Sequence, residues 1–177
     1  ELLEQNRIFQ FEDLKGVIKG SNKIRKSTID HIKMLKIIID NFTSPRYHLI
    51  RITGGDTVIN SNLHYVFGDQ NYEYLRYDQQ SNCDDLQYLL STVPMKHTFV
   101  LIKEKLRCAV TLTKTYLGIL HERYVRSPSD STIIQGFAGR ICGYDTNNDS
   151  IIFTNKPSIE RYIAAWNSEF KDLTIAW

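Results

Sequence analysis

Cysteine is scarce in this 177-residue chain: Cys83, Cys108 and Cys142 are the whole set, and no two form a C-x-x-C pair. A disulfide framework and a cysteine zinc site are therefore not expected, and reduced thiols in an intracellular protein, cytoplasmic or nuclear, are. The five histidines are scattered without ligand spacing, so no metal site is expected. No apolar run approaches the ~18 residues of a membrane helix, and the opening Glu-Leu-Leu-Glu-Gln-Asn has no secretory character, so no membrane contact is expected. The chain also lacks a G-x-x-x-x-G-K-[ST] loop, and no Asp-Glu pair follows a strand. On its own it is not expected to cradle the β- and γ-phosphates of a nucleotide or to turn it over. It does not begin with Met, which fits a piece of a longer protein or a processed chain. No internal repeat or low-complexity segment is visible.

What is present is ordinary for a globular domain, with 42% hydrophobic and 24% charged residues, enough to bury one substantial core. The net charge of +2 is uninformative, but its distribution is not. From Lys96 to Arg126 seven basic residues stand against Glu104 and Glu122, and the remainder of the chain is acidic in balance. A polyanion contact is expected in that middle stretch, with a solvated basic face as the bland alternative. Ile, Asn, Lys and Tyr are abundant, as in proteins of AT-rich genomes, viral ones included.

Residues 1–21 show no clear period and read as a linker or the edge of a neighbouring domain; residues 22–177 read as one domain. Ser27-Thr28-Ile29-Asp30 resembles a capping box, and the helix it starts runs to about Phe42 with Ile29, Ile32, Leu35, Ile38 and Ile39 on one side. Arg46–Thr53 reads as a strand and Gly54-Gly55-Asp56 as the turn into a helix over 57–66. Tyr72–Tyr77 is a strand, and Cys83–Ser91 a helix. His97–Ile102 is a near-continuous apolar run suited to a strand covered on both faces. Tyr116–Leu120 and Ile151–Phe153 are further strands, and Pro157 opens a last helix carrying Ile159, Tyr162, Ile163 and Trp166. Phe137 and Trp166 read as core. Strands alternating with helices imply an α/β fold in three layers, a mostly parallel central sheet with helices on both faces. Ligands of such sheets sit beyond the carboxyl ends of the strands. Gly54-Gly55, the loop from Lys103 to Thr113 and the approach to Asp130 all fall there.

The most distinctive stretch is Asp130–Tyr144, Asp-Ser-Thr-Ile-Ile-Gln-Gly-Phe-Ala-Gly-Arg-Ile-Cys-Gly-Tyr. Asp130 is placed to cap a helix, Ile133, Ile134, Phe137 and Ile141 recur at helical spacing, and Gly143 stands where the helix would end. Gly136 and Gly139 inside so short a helix cost about 1 kcal/mol each against alanine, which points to close approach by a neighbouring element or a ligand. Arg140 has two readings: a planar fork for a phosphate, or a structural arginine bonding the last carbonyls of its own helix.

Strand, basic loop, strand, then a helix holding Gln-Gly-Phe-Ala-Gly-Arg resembles the second RecA-like domain of superfamily 2 helicases and translocases. Ile134–Arg140 resembles their motif VI, Phe99–Leu112 their motif V, and the strand ending Arg51-Ile52-Thr53-Gly54-Gly55 stands in the place of motif IV. Gln135 precedes Gly139 by four residues where the family spacing is three, and Gly143 stands where the family has a second arginine. The resemblance implies a RecA-like half of an ATP-dependent nucleic-acid motor. In it, Arg140 would be an arginine finger and Gln135 its polar partner, with Gly139 beside them in the ATP cleft. Arg51, Thr53, Gly54, Gly55, Lys105, Arg107 and Thr111 would lie on the nucleic-acid backbone, DNA or RNA. It also implies ATP with Mg, bound mainly by an upstream N-terminal RecA-like domain. Two other readings stay open: a non-catalytic RecA-like or flavodoxin-like module that holds nucleic acid or a partner through the basic loop, and a small-molecule nucleotide enzyme of the same layered class.

Overall fold

A computed structural model of the chain describes residues 5–17, 20–21, 23–54, 56–68, 72–81, 83–103, 112–141, 149–172 and 174. Six strands form one sheet: β1 (Ile8–Gln10), β2 (Tyr47–Ile52), β3 (Tyr72–Tyr77), β4 (His97–Lys103), β5 (Leu117–His121) and β6 (Ile151–Thr154). Their order is β1-β6-β5-β2-β4-β3 and every neighbouring pair is parallel. The helices are α1 (Lys26–Asp40), α2 (Thr57–Phe67), α3 (Cys83–Ser91), α4 (Asp130–Ile133), α5 (Gly139–Ile141) and α6 (Lys156–Asn167), with a π-helical turn at Ile134–Ala138 joining α4 to α5. This is the three-layer α/β architecture of RecA-like and Rossmann-type domains.

The parallel sheet follows from its strands. Five of the seven residues of β4 and all five of β5 are buried, because parallel strands carry helices on both faces and so need apolar side chains on both. α1 and α2 pack against each other on one face, where His31 meets His121 and Phe153, and Phe67 meets Phe99. Arg51, three residues along β2 from His48, points to the opposite face, where its guanidinium lies 4.7 Å from the Phe137 ring centroid. The π-turn and α6 occupy that second face.

Several expectations are corrected. Residues 1–21 are not wholly a linker: Ile8–Gln10 is an edge strand paired with β6 through Ile8↔Ile152, and Phe11 and Leu14 join the core. The layered unit therefore begins upstream of residue 22. The capping box does not form; α1 starts from Arg25 without a side-chain cap, and the Thr28 hydroxyl donates to the Asp13 carbonyl instead. Asp130 does not cap its helix either, since Ser129 holds the cap position and the Asp130 carboxylate accepts from Ser158 and Arg161 of α6. Phe137 is core at 0% exposure, but Trp166 is 63% exposed, because the helical period that places Ile159 and Ala165 inside turns it outward. Tyr77, at the end of β3, is buried.

Four histidines are stacked into the α1 and α2 side of the sheet. Burial lowers His31 to about 4 and His121 to about 3, so both rings are neutral near pH 7. His48 Nδ1 accepts from the Ile119 amide at 3.1 Å, which leaves its Nε2 as the donor to His97 Nδ1 at 3.0 Å. Burial, with the neighbouring His97 and Arg46, lowers His48 as well. Among the described residues no helix is long and apolar enough to cross a membrane, and no group of three or more His, Cys, Asp or Glu could hold a metal ion.

Candidate functional site

The chain leaves β2 through α2 toward β3, on one side of the sheet, and leaves β5 through α4 toward β6, on the other. The adjacent carboxyl ends of β2 and β5 thus diverge, and a crevice between them is the switch point where ligands of open α/β sheets bind. A cleft of about 500 Å³ opens there. Its walls are the end of β2 with its turn (Arg51, Thr53, Gly54), the segment after β5 (Glu122, Arg123, Ser129) and the α4–π-turn (Thr132, Gln135, Gly136). Gly54 adopts φ +55, a left-handed conformation that glycine takes without a Cβ penalty, and this lets the chain turn sharply out of β2.

Glu122 holds the cleft floor together. It is 3% exposed, and its carboxylate accepts from three donors. Oε1 takes Arg51 Nη1 at 2.8 Å and the Arg123 amide at 3.0 Å; Oε2 takes the Phe137 amide at 2.8 Å. A buried carboxylate is tolerable when it is paired and its lone pairs are filled. The Phe137 amide can reach it because the helix breaks at Gly136, whose ψ of −142° is non-helical. A Cβ on Gly136 would fall 2.2 Å from Glu122 Oε2. The close approach foreseen for this glycine is therefore to a neighbouring element.

Gly139 is tight for a more local reason: a Cβ there would meet the Ile134 carbonyl at 2.5 Å. It faces its own turn and does not line the cleft. Arg140 does not line it either. It is 8% exposed, and its Nη1 donates to the carbonyls of Gln135 at 2.6 Å and Gly136 at 2.7 Å. The break at Gly136 leaves these carbonyls without the regular helical pattern, and the guanidinium supplies charge-assisted bonds in its place. The structure thus corrects the expected finger geometry: in this conformation Arg140 is the structural arginine of its own turn.

Of the residues singled out in the sequence, Arg51, Thr53, Gly54 and Gln135 converge on one cleft although up to 84 positions separate them. Gly55, Lys105, Arg107 and Thr111 lie outside the described residues. Sequence reasoning passed over Glu122, counting it only as an offset to the basic stretch. The available signal was its position: an acidic residue immediately after a buried strand, at the carboxyl rim. Arg123, exposed on the cleft wall, was counted only as one charge of the basic stretch, and Lys15 was not singled out. Lys15 follows β1 and places its Nζ 3.2 Å from the Thr53 hydroxyl.

No family model matches the chain. It is similar to an uncharacterized protein of Acanthamoeba polyphaga mimivirus, 31% identical over 153 residues, an alignment that covers 81% of this chain and 35% of that protein. The chain thus spans about a third of the length of the relative it matches.

Proposed function

We propose that this chain is the second RecA-like lobe of an ATP-dependent nucleic-acid helicase or translocase, and that the switch-point cleft is its nucleotide-facing surface. One observation supports the reading above the others: the segments that resemble motif IV and motif VI meet in a single cleft between the carboxyl ends of β2 and β5. Their sequence separation alone does not require that.

In this reading the triphosphate is gripped mainly by an upstream lobe, and this lobe offers it one wall. Arg51 and Arg123 supply positive charge, while Thr132, Ser129 and Gln135 supply hydroxyl and amide groups, which suit phosphate oxygens. The wall is poor in metal ligands, since the Glu122 carboxylate already accepts three N–H donors. Mg would therefore be held by the opposite lobe and the nucleotide. Arg140 acts as a positioning residue, fixing the turn that presents Gln135 and Gly136.

The test uses the full-length protein. ATP hydrolysis is measured with and without single-stranded nucleic acid for wild type, Arg123→Ala, Arg140→Ala and Arg140→Lys, alongside thermal melting. Stimulated hydrolysis by wild type is expected, with Arg123→Ala lowering turnover at unchanged melting temperature. Arg140→Ala is expected to lower both, because its carbonyl partners lose their donor. Lost turnover at an unchanged melting temperature in Arg140→Ala would return that residue to the role of finger. A wild-type protein that binds nucleic acid without hydrolysing ATP would replace the motor by a non-catalytic binding module.

A further inference from the structure

We infer that Lys15, which lies in the segment after β1 and outside every motif discussed above, joins Thr53 at the end of β2 to form a phosphate-binding site on the carboxyl rim. The inference rests on the motor reading only for the identity of the phosphate's owner.

The geometry of the ammonium carries it. Lys15 Nζ is aimed across the rim at the end of β2, and its one hydrogen-bond acceptor among the described residues is the neutral Thr53 hydroxyl at 3.2 Å. No carboxylate of the described residues ion-pairs with it; Asp13 Oδ1 is taken by the Lys15 backbone amide. Lys15, Thr53, Arg51 and Arg123 border one small recess, which adjoins the switch-point cleft through Arg51, Thr53 and Arg123. Glu12 and Asp13 border the same recess. Burial, joined by repulsion from Lys103 and opposed by Asp13 and Asp56, leaves the Lys15 ammonium easier to deprotonate than usual. Asp13 and Asp56 act on it only through space, so a partly desolvated cation bonded to a hydroxyl, with Arg51 and Arg123 on the same recess, still gains from an added anion. Thr53 accepts from Lys15 through its oxygen, so its O–H remains available to donate to a phosphate oxygen. An ammonium and a hydroxyl from two different loops suit the tetrahedral oxygens of a phosphate, whether in a polynucleotide backbone or in a nucleotide.

The test compares wild-type full-length protein with Lys15→Gln and Lys15→Arg. Binding of a single-stranded oligothymidylate is titrated over a range of salt, binding of MgATP is titrated separately, and melting temperature confirms folding. Lys15 acylation by a soluble N-hydroxysuccinimide ester is followed by mass spectrometry with and without each ligand. For a polynucleotide phosphate, Lys15→Gln weakens oligothymidylate binding severalfold and flattens the log–log salt slope by about 0.7. Lys15→Arg largely restores binding, and oligothymidylate protects Lys15 from acylation. If MgATP affinity and MgATP protection change instead, the same site holds a nucleotide phosphate. Unaltered binding of both ligands in Lys15→Gln, with no protection by either, overturns the proposal. A wild-type protein that hydrolyses no ATP but is protected at Lys15 by oligothymidylate retires the motor reading and leaves the phosphate site standing.

Discussion

The two ends of the sheet handle polar groups in opposite ways. At the amino end, around the starts of β2 and β4, charges neutralise one another or are absent. Arg46 pairs with Asp149, Lys36 with Asp40 and Tyr72, and burial lowers both the buried His48 and its half-buried partner His97. At the carboxyl end, Arg76 is paired with Asp56 and Asp78, but the rim between β1, β2 and β5 keeps charge. A buried Arg51–Glu122 pair forms the floor of a cleft, Arg123 is exposed on its wall, and the Lys15 ammonium faces a hydroxyl. An end that only has to close the sheet minimises charged groups in low dielectric, since each costs desolvation. An end that meets an anion retains cations and fixes them with a fully bonded carboxylate. The difference between the ends is what the proposed anion-facing role of the carboxyl rim requires.

The sharpest way to break that comparison is Glu122→Ala. It strands Arg51 and the Phe137 amide, and removing one partner of a buried ion pair costs about 3–5 kcal/mol. Urea denaturation should show a loss of that order, and a loss below about 1 kcal/mol would mean that the carboxylate does not organise the floor.

The histidines sharpen the comparison through pH. His31 and His121 sit at about 4 and about 3, against about 6.5 in an unfolded chain. Their folded values are depressed, so between those limits the unfolded chain binds protons that the folded one does not. Their stabilisation is complete above about pH 6.5 and is lost as pH falls through that window, toward about 4 for His31 and about 3 for His121. Melting temperature should decline across that window, and less steeply in His31→Phe, which keeps the ring contacts with His121 and Phe153. Parallel declines in wild type and variant would show that His31 is not buried neutral.

Gly136→Ala probes the floor from the other side. A methyl 2.2 Å from Glu122 Oε2 must displace the carboxylate, and overpacking of this kind costs about 1–3 kcal/mol. Thermal melting reads it, and a wild-type melting temperature would show that the turn relaxes freely. The smallest effect belongs to the amino end. Asp149→Ala removes a half-exposed partner of Arg46 and should cost about 0.2–1 kcal/mol by urea denaturation. A cost matching that of Glu122→Ala would erase the contrast between the two ends.

Local signals were legible where one dimension suffices. Tyr72–Tyr77 and Cys83–Ser91 were readable to the residue, and the unbroken apolar run of β4 announced a strand covered on both faces. The short, charged-flanked β1 was not readable, because three residues have no detectable period and pairing with β6 lies more than 140 positions away. Asp130 and Thr28 looked like caps, and tertiary partners captured both side chains. Arg140 looked like a finger, and its exposure could not be read from a motif.

The order and period of apolar residues determined the layered α/β class and strands β2 to β6, because each is set by neighbours along the chain. Only the tertiary structure decided which rim residues share a cleft, that Glu122 ties Arg51 to the Phe137 amide, and that Arg140 turns inward. Those outcomes depend on which strands lie side by side and which buried donors find an acceptor, and both are properties of the packed molecule.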